Sequence, residues 1–450
     1  MKILTICGHI ALINLIIFFS LFFLTSAVER EKRALFRSFF CLSVILSLYI
    51  SILLLRFFYA NQLLALVGIL FIFSLLFLLF SPSPTRQTKI ISEQKKIDER
   101  DVIFSRFDLR EGTPSFKNYY SRRPEFKNVD ADIRRYPDIL SPEHMKRNPL
   151  LFSLAAAEFE ILEHFLPHVD GDVFHEKKVD SAQKNTVRIK HMLGYFSSAL
   201  NGVCSLEQAY VYSYVGRGPE AYGKKIINTH NYAVIFAVEM DFNMIACAPQ
   251  PQVIIETGRR YVEAAKISVI LAEYIRSLGY SARAHIAGSN YQTMLVPLAW
   301  KAGLGELGRL GIIISKKYGP RIRLGCVTTD LPLVPDGPVI FGVQDFCRIC
   351  KKCAMNCPAQ AISQNEKKDE NGVLKWTLNR EECYKFWRKT GTDCGMCLYV
   401  CPYSKPRNLF HDSIRAVTAN SRLAQRLVVW GDDLFYGRSP IQKNTSISPE

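Results

Sequence analysis

Three long apolar runs crowd the first eighty residues and constrain the fold more than any other feature. They cover residues 5–28, 39–55 and 63–80. Residues 1–80 hold only eight charged side chains: Lys2, Glu29, Arg30, Glu31, Lys32, Arg33, Arg37 and Arg56. A hydrocarbon core of roughly 30 Å needs about 20 apolar residues in a helix. The first and third runs meet that length and the second sits at its short limit. A cleaved signal peptide competes for the first run, because Lys2, the apolar core and Thr25-Ser26-Ala27 suit one. Two more runs follow at once, so three spans are expected.

Orientation follows from the loops. The first loop carries Arg30, Lys32, Arg33 and Arg37, the second little beyond Arg56, and the segment after the third span Arg86, Lys89, Lys95, Lys96 and Arg100. Basic loops stay in the cytoplasm. The expectation is an outside N-terminus and a large domain facing the cytoplasm at the inner membrane, with lipid as a partner and no twin-arginine export signal.

The other 370 residues have the mixed composition of a soluble globule. At 48% hydrophobic and 22% charged, the chain is neither disordered nor a disulfide-stapled mini-protein. Of the net charge of +16, residues 1–80 account for six basic and two acidic groups, leaving +12. These charges are spread out and accompany no nucleic-acid-binding motif, so they are assigned to solubility, lipid headgroups or an acidic electron donor, and nucleic acid is not an expected partner. Ser81-Pro82-Ser83-Pro84 breaks the third helix. The expected organisation is an anchor over 1–80, a linker leading into the core over 81–145, a catalytic domain over 146–335, a cysteine-rich domain over 336–405 and a C-terminal segment, 406–450, packing on the core.

Eight of thirteen cysteines fall within fifty-five residues. The first group is Cys347-x2-Cys350-x2-Cys353-x3-Cys357-Pro358, and the second Cys383-x10-Cys394-x2-Cys397-x3-Cys401-Pro402. This is the run of a bacterial two-cluster ferredoxin, with the first gap of the second group widened. The close spacing lets a tight loop wrap three thiolates around one face of a cubane, while the cysteine before proline reaches the other cluster. Cys347, Cys350, Cys353 and Cys401 are therefore expected to hold one [4Fe–4S] cluster, and Cys383, Cys394, Cys397 and Cys357 the second. Zinc also binds CxxC pairs, but the Cys-Pro endings and the reciprocal fourth cysteine argue for iron–sulfur. Cys204, Cys247 and Cys326 read as buried small side chains.

Residues 190–335 read as α/β. Strands are expected over 233–238 (AVIFAV), 311–314 and 323–328. A helix is expected over 258–278, capped by Thr257, with Val262, Ala265, Val269 and Ala272 on one face and Gly279 just past its end. Between them lies the glycine-rich stretch Ala302-Gly303-Leu304-Gly305-Glu306-Leu307-Gly308-Arg309-Leu310-Gly311. Glycines allow close backbone approach to a large ligand, although no dinucleotide fingerprint or P-loop is present.

The stretch Arg321-Ile322-Arg323-Leu324-Gly325-Cys326-Val327-Thr328-Thr329-Asp330-Leu331-Pro332-Leu333, followed by Phe346-Cys347, resembles the corrinoid-dependent reductive dehalogenases. The resemblance extends over roughly residues 145–437. It includes Glu239-Met240-Asp241, the AGLGELGR stretch and Asp432-Asp433-Leu434-Phe435-Tyr436-Gly437. It implies a nitroreductase-like, corrinoid-binding α/β core followed by a two-cluster ferredoxin-like module. It further implies reductive removal of halogen from a small organohalide with a cobalamin or related corrinoid. Electrons would come from an unidentified donor through both clusters.

The family's proton donor is a tyrosine beside a basic side chain. These roles fall on Tyr261 and Arg323, with Asn290 as a third polar group. In the expected helix Tyr261 lies in the first turn, where the dipole and a cation would both favour a phenolate. The competing readings are a core aromatic for Tyr261, a structural ion pair for Arg323 with Arg321 as the alternative alignment, and a turn residue for Asn290. Gly303, Gly305, Glu306 and Arg309 are the candidate cofactor-binding residues, with a structural role as the alternative for Glu306 and Arg309. His230 is read as ordinary, since the family holds its corrinoid without histidine on cobalt and the DxHxxG motif is absent.

Respiratory members usually carry an export signal and use a separate anchor protein, whereas this chain resembles an anchor fused to the enzyme. Two other functions stay open. One is a corrinoid iron–sulfur reductase of a non-halogenated substrate, like epoxyqueuosine reductase, which uses aspartate where this chain has Tyr261. The other is a non-catalytic membrane electron-transfer protein, which leaves the 200 residues before Cys347 unexplained.

Overall fold

The computed structural model describes residues 2–54, 59–287 and 291–443. Three helices open the chain: α1 (Lys2–Val28), α2 (Lys32–Leu54) and α3 (Ala60–Leu79). All three are long and apolar enough to cross a membrane. The second span, marginal in the sequence, gains length at its basic N-terminal end, because Lys32–Ser38 continue the helix. Gly8 and Gly68 let α1 and α3 touch: a Cβ at Gly8 would lie 2.1 Å from the Leu64 carbonyl oxygen, and one at Gly68 2.2 Å from that of Leu4. Small residues at a crossing are how membrane helices bring their backbones together.

Residues 1–86 form one compact unit with 406–440, and residues 87–405 form a second with 441–450. In the second unit a four-stranded antiparallel sheet is built from β1 (Leu200–Ser205), β2 (Tyr232–Glu239), β3 (Ala282–His285) and β4 (Ile322–Thr329), in the order β1-β2-β4-β3. The unbroken apolar run of β2 has a clear cause, since both of its faces are covered. Val234, Phe236 and Val238 face a core shared with Ala265, Leu271 and Ile275. Ala233, Ile235 and Ala237 face Leu298, Ala299 and Leu304. Phe236 lies opposite Gly325 on β4, where a Cβ would come 2.2 Å from its ring.

The helix beside this sheet differs from expectation at its start. Helix α4 (Pro149–Glu163) packs along α5 (Gln252–Ser277), which begins directly after Pro251 and six residues before Gly258. Gly258 is interior to the helix because α4 approaches there; a Cβ would lie 2.6 Å from Glu158 Oε2. Thr257 is therefore not a cap, and Tyr261 stands in the third turn rather than the first. The end agrees with the sequence reading: Gly279 follows the C-cap with φ +85°.

The segment read as a linker is structured. From residue 87 it belongs to the second unit, and its short helices Ile103–Asp108, Pro114–Arg122 and Lys127–Arg134 bury Phe107, Tyr119 and Ile133. The C-terminal segment also departs from expectation. Helices α6 (Leu409–Asn420) and α7 (Arg422–Phe435) belong to the unit of α1–α3 rather than to the catalytic core. Phe22 of α1 supplies the physical reason, because it stacks on Phe410 and meets Phe435 edge-on, with ring centroids 4.7 and 4.8 Å away.

Candidate functional site

Arg323 leaves β4 opposite Val238 of β2 and points its guanidinium at helix α5. Its Nη2 donates to Thr257 Oγ1 (2.6 Å) and to Asp393 Oδ2 (2.9 Å), and Thr257 Oγ1 donates to the same carboxylate oxygen (2.6 Å). One helical turn beyond Thr257, the ring of Tyr261 lies beside the guanidinium, 5.1 Å from centroid to Arg323 Cζ. Tyr261 also meets Phe159 of α4 edge-on, with ring centroids 6.3 Å apart.

Burial opposes charge on this pair. It pushes the Asp393 carboxyl above the usual carboxylate range against the pull of Arg323 and Thr257. Burial also opposes the Arg323 cation, but Tyr261, Asp393 and Tyr291 outweigh it and hold its pKa raised. Arg323 Nε is buried without a hydrogen-bond partner among the described residues.

Tyr291 extends the site. Burial is the largest influence on its phenol and raises it strongly, with Tyr261 adding to the rise and Arg323 opposing it. Tyr212 packs on the opposite face of the sheet, in the cluster of Ala233, Ile235 and Ala237. Asn290, the third expected polar group, lies outside the described residues.

Asp393 immediately precedes Cys394, and so ties this site to the cysteine-rich segment. Cys383 sits on helix Arg380–Thr390, which ends at Gly391 with φ +79°. The widened gap before Cys394 thus holds the rest of that helix and the turn presenting Asp393. Burial first, and then the charges of Cys347, Cys401, Cys397 and Cys350, push the Cys353 thiol well up; burial and then Cys394, Cys383 and Cys357 do the same for Cys397. Burial raises Cys347 to about 11 and Cys383 and Cys394 to about 12. Thiols this basic become thiolates at neutral pH only beside a strong positive charge, which bound iron supplies. Among the described residues no three His, Cys, Asp or Glu converge on a point that would hold a single metal ion. The eight cysteines in two ferredoxin-type groups form a donor set that fits two iron–sulfur clusters.

The glycine-rich stretch is packed tightly against protein. Glu306 is 2% exposed and its Oε1 accepts from the Phe341 and Val343 N–H groups at 2.7 and 3.1 Å. Arg309, 1% exposed, donates to the carbonyls of Cys347 (3.0 Å), Ser363 (2.7 Å) and Asn365 (3.3 Å), and stacks on Trp376. A Cβ at Gly303 would lie 2.7 Å from the Gly337 carbonyl oxygen, and one at Gly305 2.3 Å from that of Ile314. These four residues pack against or clamp protein backbone, the structural role that competes with cofactor binding for Glu306 and Arg309.

Arg321 is also committed elsewhere, donating to the carbonyls of Ser404 and Met240 and to Glu239. Both ring nitrogens of His230 are engaged, Nδ1 with Thr328 Oγ1 (2.8 Å) and Nε2 with Ser281 Oγ (2.9 Å). A cavity of about 660 Å³ adjoins His230, Asn228, Arg283 and Gln292. Thr328, which His230 contacts, lies five residues along β4 from Arg323, or roughly 16 Å. Sequence reasoning passed over Asp393 and Tyr291, and read Thr257 only as a helix cap. For Asp393 the widened cysteine gap was the available signal.

Comparison with known proteins places these features together. A family model described as a 4Fe-4S dicluster domain matches residues 346–405. The tetrachloroethene reductive dehalogenase of Sulfurospirillum multivorans is 34% identical over 220 residues, covering 47% of this chain and 43% of that protein. The protein of the same name from Desulfitobacterium hafniense is 38% identical over 196 residues, covering 41% of this chain and 35% of that protein. A solved catabolic reductive dehalogenase, NpRdhA in complex with 3-bromo-4-hydroxybenzoic acid, superposes with a TM-score of 0.64 at 23% identity, covering 80% of this chain and 49% of that one. The fold is that of the solved reductive dehalogenases, and by sequence the chain is a relative of proteins bearing that name. It spans less than half the length of the relatives it matches.

Proposed function

We propose that this chain is a membrane-anchored reductive dehalogenase that replaces a carbon–halogen bond of a small organohalide with a carbon–hydrogen bond. The observation that carries this reading is the contact of Arg323 with Tyr261 on one side and Asp393, beside Cys394, on the other. A proton source and an electron entrance thus meet at one side chain, on a fold shared with solved reductive dehalogenases. The balanced reaction takes two electrons and one proton, and releases halide.

The corrinoid of the related enzymes, when bound, would supply a low-valent cobalt able to pass both electrons to the carbon–halogen bond. Tyr261, Tyr291 and Arg323 would offer such a group and its substrate an aromatic and cationic lining. Arg323 keeps a cation against the face of Tyr261, so that charge on the phenolic oxygen after proton loss is stabilised. Asp393 and Thr257 hold the guanidinium in that pose, and Asn290 is assigned as a third polar contact. Electrons enter through the cluster held by Cys347, Cys350, Cys353 and Cys401. They leave towards the site through that of Cys357, Cys383, Cys394 and Cys397. The catalytic domain is assigned to the cytoplasmic face of the inner membrane, where an unidentified donor feeds it; nucleic acid has no part in this reading.

Anaerobic purification with metal analysis tests the proposal. About eight irons and about one cobalt per chain are expected, with halide released from a panel of haloaromatics and haloalkanes under a low-potential donor. Zinc in place of iron, or cobalt-loaded protein that releases no halide, overturns it.

A further inference from the structure

We infer that α6 and α7 form a hairpin lying in the interfacial layer of the bilayer crossed by α1–α3, with Leu427, Trp430 and Leu434 set among the lipid headgroups and upper acyl chains. This rests on the reading of α1–α3 as membrane spans and adds a second kind of membrane contact.

Three consecutive spans alternate in direction, so the end of α1, the start of α2 and the end of α3 share one side. The hairpin is tied to all three places. At the end of α1, the Glu29 carboxylate accepts from Asn408 Nδ2 (2.8 Å) and pairs with His411 Nε2 (3.0 Å) just as α6 begins. At the end of α3, where α6 passes into α7, the Arg422 N–H donates to the Pro82 carbonyl (3.2 Å) and the Leu423 N–H to Ser81 Oγ (3.1 Å). At the start of α2, where α7 finishes, Arg33 donates to the Ser439 carbonyl (3.1 Å) and Arg37 to that of Leu434. Helices of 12 and 14 residues are roughly 18 and 21 Å long. Each therefore runs across the bundle from one span end to the next, in the plane of the membrane rather than along its normal.

Depth follows from the aromatic contacts. Phe410 and Phe435 reach Phe22, six residues before the end of α1 or roughly 9 Å down its axis. Phe18 also touches Phe410 at 5.2 Å. The inner face of the hairpin is thus sunk beside the apolar part of a span. Its outer face carries Leu427, Trp430 and Leu434 at i, i+3 and i+7, with 51%, 64% and 39% of their surfaces exposed. Leu409 and Val417 are exposed on α6, and Arg426 is exposed beside Leu427. An apolar stripe with tryptophan and arginine, at the boundary of a spanning bundle, matches the chemistry of an anionic lipid interface.

The full-length protein, reconstituted into vesicles of phosphatidylcholine and phosphatidylglycerol, tests the assignment. Tryptophan emission of the wild type minus that of Trp430→Phe isolates the Trp430 signal. That signal is expected at short wavelength, and most of it should be lost when the acyl chains are brominated near their carboxyl ends. A long-wavelength signal quenched by aqueous iodide and untouched by bromolipid overturns the inference. A signal quenched by neither also overturns it, because protein then covers the stripe. Alkaline extraction separates the underlying reading: protein released from the vesicles refutes the spans, whereas retained protein with unquenched Trp430 refutes only the hairpin's position.

Discussion

Arg323 and Asp393 form an ion pair of 2.9 Å whose carboxylate belongs to the residue next to Cys394, with side chains 17% and 8% exposed. Two carriers of the proposed chemistry, the cation beside Tyr261 and a ligand loop of the second cluster, are therefore joined by one enclosed contact. Removing one member of such a pair leaves the other charge buried and uncompensated, a cost of about 3–5 kcal/mol in buried pairs. Arg323→Ala is expected to lower the melting temperature and abolish halide release. Arg323→Lys should retain the fold better and recover little turnover, because an ammonium lacks the planar fork that meets Thr257, Asp393 and the Tyr261 ring together. Thermal melts of the three proteins, with iron content as a control, check both outcomes; full activity in Arg323→Lys would refute the positioning role.

Tyr261→Phe removes one oxygen and leaves the ring beside both Phe159 and the guanidinium. Iron and cobalt contents are expected to match the wild type, while turnover falls by about 10²–10⁴-fold, the usual contribution of a positioned general acid. Solvent isotope effects on the residual rate supply a second readout. An unchanged rate would exclude the phenol as proton donor.

What could be read from the sequence was what depends on nearby residues. The cysteine spacing is local, and so is the apolar run of β2. The end of α5 at Gly279 needed only the αL preference of glycine. What escaped was decided by distant neighbours. Gly258 resembled a helix boundary because nothing in the sequence shows that α4 presses on it. Gly303 and Gly305 resembled a ligand cradle, although the atoms that exclude a Cβ there are the carbonyls of Gly337 and Ile314. Asp393 and Thr257 gained importance only when the fold brought them to Arg323, across 70 and 66 residues. The affinity of α6 and α7 for α1 was equally hidden, since amphipathic helices show that they need a partner without showing which.

The crowding at Gly258 has a pH consequence. Glu158 Oε2 is buried beside it without a hydrogen-bond partner among the described residues. Burial, aided by Glu256, raises this carboxyl to about 7 from an ordinary 4.5. The folded state thus holds a proton that the unfolded chain releases earlier. The stabilising contribution is complete below about pH 4.5 and is lost as pH rises through about 7. Glu158→Gln keeps the shape and cannot ionise. It is expected to melt higher than the wild type at pH 8 and close to it at pH 5, as differential scanning fluorimetry on both proteins would show. An equal shift at both pH values would assign the effect to packing instead of ionisation.

Arg309 offers a test of the two roles open to the glycine-rich stretch. Its guanidinium spans three carbonyls, including that of Cys347, so it holds the loop that carries the first cysteine group. Its loss strands those acceptors in a buried place, at about 1–3 kcal/mol for each group left unsatisfied. Arg309→Met is therefore expected to lose the cluster of Cys347, Cys350, Cys353 and Cys401 while the other stays bound, dropping iron to about four atoms per chain. Corrinoid content should stay at the wild-type level if the side chain serves the protein backbone alone. The reverse pattern, full iron with corrinoid lost, would return Arg309 to the cofactor-binding role that its neighbouring glycines first suggested. Electron paramagnetic resonance of the reduced protein distinguishes the two, because loss of one cluster removes the magnetic coupling that a neighbouring pair displays.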